Sequence, residues 1–128
     1  MIKFLKFIFH ISVLSLIVLS LYPGSLVGFL MYGNFSQQPN LINNPFGTSI
    51  NHLIPYLYVS LLGLFLHLNK HKFKKLLYGL LFLSVMLEIL QFVIPNRSFQ
   101  LADLIFNILG VLVAYLIVKI YLLFNKHE

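Results

Sequence analysis

The feature that most restricts this chain is a set of four nearly uncharged apolar stretches, at about residues 4–22, 50–68, 76–94 and 99–124. A hydrocarbon core about 30 Å thick is crossed by roughly 20 apolar residues in helical form, and each stretch is close to that length. Backbone N–H and C=O groups inside lipid must be satisfied within the protein, which leaves helices or a closed barrel. The stretches are continuously apolar rather than alternating, and they are too few to close a barrel. The prediction is an all-α fold: a polytopic membrane helical bundle of four transmembrane helices, formed by one domain over residues 1–128. Composition agrees, because 59% of the residues are hydrophobic and 9% are charged, too few to wet the surface of a soluble domain.

Orientation follows from the basic residues, since short loops rich in Lys and Arg stay on the cytoplasmic side. Lys3 and Lys6 precede the first stretch, Lys70, Lys72, Lys74 and Lys75 lie between the second and third, and Lys119 and Lys126 lie near the end. Four crossings put all of them on one side and both termini in the cytoplasm. Residues 23–49 contain no charge and are rich in Asn, Gln, Pro and Gly, so they form an irregular outer loop, with apolar Leu26 to Tyr32 along the interface. A cleaved signal peptide is the rival reading of the first stretch, but no small-x-small cleavage pattern stands out after Leu19. The net charge of +6 belongs to these topological clusters rather than to a nucleic-acid-binding face.

With the cytoplasmic lysines and Glu128 set aside, Glu88, Arg97 and Asp103 remain, all at the outer ends of the last two spans. Ionisable groups at membrane depth are costly and mark functional sites or paired staples. Glu88 lies seven residues before Pro95, roughly 10 Å below the expected helix end. Gln91 shares its helical face, and Asp103 and Asn107 share a face of the last span. A tight turn at Pro95-Asn96 makes those two helices antiparallel neighbours and lets Arg97 reach either acid. His52 and Tyr56, four apart at the outer start of the second span, can face the same place. The candidate polar site is therefore Glu88, Gln91, Arg97, Asp103, Asn107, His52 and Tyr56. The chain has no Cys, no HExxH motif and no phosphate-cradling Gly-rich loop, so no metal or cofactor is predicted.

Glu88-xx-Gln91, Pro95-x-Arg97 and Asp103-xxx-Asn107-xx-Gly110 together resemble the signature of the VanZ-like membrane proteins. An earlier block of that family reads Asp-Lys-xx-His-xxx-Tyr. Here His52 and Tyr56 match it, while Thr48 and Ser49 replace the acid and the base. The resemblance implies a compact helical domain in the bacterial cytoplasmic (inner) membrane, and a cell-envelope role of the kind that gives low-level resistance to the glycopeptide teicoplanin. It does not imply a reaction.

Three functions are compatible with these residues. The first is a non-enzymatic envelope protein whose outer polar cleft binds a lipid-linked or cell-wall component. The second is a membrane enzyme modifying a lipid or glycan at the outer leaflet, with Glu88 or Asp103 as acid or base, His52 as a second proton carrier and Arg97 on an anionic group. The third is an accessory subunit of an envelope complex that presents the small-residue pairs Gly24/Gly28 and Gly110/Ala114 as its interface. The bilayer is the one partner the sequence requires; the oligomeric state is left open.

Overall fold

A computed structural model describes residues 1–39, 45 and 47–125, without the side chains of Thr48 and Lys70. The described residues form helices and connections with no strand: α1 (Ile2–Leu21), α2 (Leu26–Tyr32), α3 (Ile50–Leu66), α4 (Lys70–Leu90) and α5 (Leu101–Phe124), with 3-10 turns at Gly47–Ser49 and Gln91–Val93. Lys126, Glu128 and the Asn-rich middle of the expected outer loop lie outside the described residues.

Three segments are long and apolar enough to cross a membrane: Ile2–Leu21, His71–Val93 and Leu101–Phe124. The expected second span is shorter, because α3 ends at Leu66, where His67 leaves helical geometry with φ −130°. His67 Nδ1 bonds the Gly63 carbonyl at 3.0 Å, and Asn69 then caps α4 through the His71 N–H. The corner is only three residues long, so Lys72, Lys74 and Lys75 stand in the first two turns of α4 rather than in a loop.

Helix α3 is the centre of the bundle and packs on α1, α4 and α5. The principal partner of α5 is α3, not the α4 that precedes it in the chain. The cause is Gly110, where an added Cβ would stand 2.7 Å from the Leu53 carbonyl oxygen and 2.9 Å from the Leu57 nitrogen. Close backbone approach through small residues is the usual basis of helix association in lipid, where lipid tails compete equally with apolar side chains. Leu64, Val111, Ala114 and Val118 fill the centre below this crossing.

The small-residue pairs are thus consumed inside the chain. Gly28 meets the Gln37 carbonyl and Gly24 the Phe35 carbonyl, while Ala114 is fully buried. Among the described residues, all four are buried against this chain's own atoms. Part of the expected irregular loop is ordered as α2, capped by the Ser25 hydroxyl, which accepts from the Gly28 N–H, and closed by Gly33 in the left-handed region.

Burial is inverted relative to a soluble protein. Glu88, Asn107, Ser60 and Ser84 are among the most completely buried side chains, while Phe4, Phe7, Tyr78, Phe82, Leu116 and Leu123 point outward. In water this arrangement would expose a large apolar surface, whereas in lipid it is the stable one. The chain is a membrane protein.

Candidate functional site

The site is assembled where α4 ends and α5 begins. Helix α4 stops at Leu90 and tightens into the Gln91–Val93 3-10 turn, so Glu88 lies in the last α-helical turn, nearer the helix end than the spacing to Pro95 predicts. The Arg97 N–H closes a turn onto the Ile94 carbonyl, with Asn96 at φ +59°. Proline followed by a positive-φ Asn is the residue pattern of a type II turn. Helix α5 then starts at Leu101 with Gln100 as N-cap, which puts Asp103 at the third helical position, within the first turn.

Glu88 is 0% exposed and bridges the two helices. One carboxylate oxygen accepts from the Asn107 side-chain amide at 3.0 Å, and the other from the Gln100 backbone N–H at 3.3 Å. In a capping box that last N–H would be taken by the acid at the third helical position, here Asp103. Glu88 takes it instead, from another helix, and Asp103 turns toward α3.

There, Asp103 Oδ2 lies 3.3 Å from His52 Nε2, and Asp103 is itself only 2% exposed. One turn further along α3, the Tyr56 hydroxyl is buried beside Ser20. The other carboxylate oxygen of Asp103 and the side-chain amide oxygen of Asn107 are buried and unpartnered.

Arg97 does not pair with either acid. Its Nε donates to the Tyr22 carbonyl at 3.1 Å and its Nη2 to the Leu19 carbonyl at 2.9 Å, across more than 70 residues. These carbonyls end α1, which has no basic residue in its own last turn, so Arg97 supplies the cation that a helix C-terminus favours. Partial burial draws the guanidinium pKa down from its ordinary value, and the nearby Glu88 and Asp103 push it back up. Arg97→Ala is expected to destabilise the protein by about 1–3 kcal/mol, with Arg97→Lys intermediate, because an ammonium cannot span both carbonyls. Thermal melting in detergent reads the difference.

Between the ends of α1 and α3, the segment joining those helices and the Gln91–Val93 turn lies a crevice of about 250 Å³. His52, Tyr56, Gln91 and Arg97 line it, opposite the apolar side chains of Leu16, Leu19 and Ile54. Glu88, Asp103 and Asn107 form the layer behind. The predicted residues thus divide into four that face the crevice and three that support it.

Sequence reasoning missed Asn51, which lines the same crevice and donates to the Pro39 carbonyl at 2.8 Å, and the backbone groups of Gln100, Leu19 and Tyr22. The N-cap position of Gln100, three residues before Asp103, was a readable signal; the carbonyls of α1 carry none in sequence. Among the described residues no group of three His, Cys, Asp or Glu side chains can hold a metal ion.

No curated protein and no solved structure matches this chain. A family profile does, over nearly the whole length, and its boundaries enclose every residue of the site just described. The match, over residues 4–124, is to VanZ/LLP1, and the chain belongs to that family.

Proposed function

We propose that this protein is a four-span component of the bacterial cytoplasmic membrane, with both termini in the cytoplasm. In this reading its outward-facing polar crevice binds a lipid-linked or cell-wall component and so alters glycopeptide action. The crevice is the observation that carries the reading. A mixed wall of apolar and polar side chains, backed by buried acids, suits an amphiphile with a hydrogen-bonding head. The fourth crossing is α3, whose 17 residues extend about 26 Å. With the preceding 3-10 turn this comes close to the hydrocarbon thickness, and small mismatches are absorbed at modest cost. In this topology α2, with Leu30 and Met31 exposed, lies along the outer interface.

Production in a teicoplanin-susceptible bacterial host tests the reading. Higher teicoplanin tolerance is expected, and its loss in His52→Gln. Unchanged susceptibility, with the protein verified in the membrane fraction, refutes the proposal.

One observation favours a second reading, a membrane enzyme modifying a lipid or glycan at the outer leaflet. His52 faces the crevice with an acid behind its ring, the relation of a general base to the group that orients it. That reading requires a mass change in extracted envelope lipids or glycans on expression, abolished by His52→Gln; identical extracts reject it.

A further inference from the structure

The opposite end of the molecule carries a second feature. Helices α1 and α4 run side by side from the same end of the bundle, and an apolar groove lies open between them. It is lined by Phe9, His10 and Val13 on α1 and by Leu76, Gly79 and Leu83 on α4, and has a volume of about 330 Å³. Gly79 is exposed, and a Cβ there would meet no atom, so the groove is open where a side chain would otherwise fill it.

Helical spacing places cations at the mouth of this groove. Lys6 precedes His10 by four residues and Val13 by seven, which puts it on the groove face of α1. Lys72 stands in the same relation to Leu76 and Gly79, and Lys75 to Gly79 and Phe82. All three lysines are exposed. Among the described residues the acids, Glu88 and Asp103, are at the other end of the bundle, so none is available to pair with them. Lys72 also stands in the first turn of α4, where the helix dipole disfavours positive charge. An anionic group at the groove mouth relieves both deficits.

We infer that this groove binds one anionic phospholipid of the leaflet on the side of the N-terminus, its acyl chain along Gly79 and its phosphate among Lys6, Lys72 and Lys75. Apolar groove and basic mouth are complementary in sign and polarity to that molecule, and a zwitterionic lipid meets only half of the arrangement. The inference depends on the helices crossing the bilayer and is independent of the outer crevice.

Native mass spectrometry of the full-length protein, delipidated in detergent and titrated with phosphatidylglycerol or phosphatidylcholine of identical chains, tests it. One retained phosphatidylglycerol is expected, bound more tightly than phosphatidylcholine. Each of Lys6→Gln and Lys72→Gln should weaken it about fivefold, from about 1 kcal/mol per basic residue at a membrane surface. Gly79→Leu fills the groove and should abolish retention while leaving lipid-free melting unchanged or raised, which separates displacement from misfolding. Equal retention of the two lipids, or retention of phosphatidylglycerol by a folded Gly79→Leu protein, overturns the inference. Teicoplanin tolerance in the Gly79→Leu strain is expected to persist, so a failure here is distinguishable from a failure of the crevice proposal.

Discussion

Gly110→Leu is expected to yield no folded, monodisperse protein from detergent extracts, and Gly110→Ala to fold with stability lowered by about 1–3 kcal/mol. The contacts an added Cβ would make are with the backbone oxygen of Leu53, the backbone nitrogen of Leu57 and the Cβ of Tyr56, none of them the end of a flexible side chain. Relief therefore requires α3 and α5 to separate as rigid bodies. Their separation would loosen the packing of Val111, Ala114 and Val118 and pull Asp103 from His52. Larger substituents push the cost beyond the range of ordinary point mutations. Gly79→Leu is the matched control: the same chemical change on an open helix surface removes a residue poor in helix propensity and adds no clash. Thermal melting and size-exclusion profiles of the two variants read the contrast. If Gly110→Leu melted like the parent, the α3–α5 crossing could not be as close as described.

The same glycine marks what the sequence could reveal. Gly110-xxx-Ala114 is visible as a small-residue pair, but whether it serves another chain or this one depends on which backbone stands opposite, and that information lies in Leu53 to Leu57. The apolar lengths made the three long membrane-crossing segments legible, because hydrocarbon thickness imposes a length and little else. The shorter α3 was less so: its end is set by His67 bonding back to Gly63, a local choice that hydropathy does not register.

Charge scarcity likewise made the cluster legible, since Glu88, Arg97 and Asp103 stand out in a chain this apolar. Their partners did not follow from opposite sign. Arg97 lies in the turn joining the two acid-bearing helices, yet it binds two main-chain oxygens of α1, because a helix C-terminus presents unsatisfied carbonyls that no residue type announces. The acids in turn took a backbone N–H, an amide and an imidazole.

That exchange of partners fixes the second large effect. Glu88→Ala is expected to destabilise the protein by about 2–5 kcal/mol, and Glu88→Gln by less than about 1 kcal/mol. Alanine leaves the Gln100 N–H and the Asn107 amide buried without acceptors, opens a void at a fully enclosed position and uncaps α5. Glutamine keeps one oxygen for the Gln100 N–H and places an NH2 where the second oxygen was. Asn107 can answer by rotating its side-chain amide, because its own oxygen is buried and has no partner to lose. A pair held together by charge could not be repaired in this way, and there the two substitutions would cost alike. Melting of both variants, combined with Asn107→Ala in a double-mutant cycle, decides between the two descriptions: glutamine as damaging as alanine would show that the carboxylate's charge is what α5 requires. If glutamine is tolerated, Glu88→Gln removes the acid without removing the fold, and any teicoplanin tolerance lost in that strain is lost through the chemistry of Glu88 rather than through its structural role.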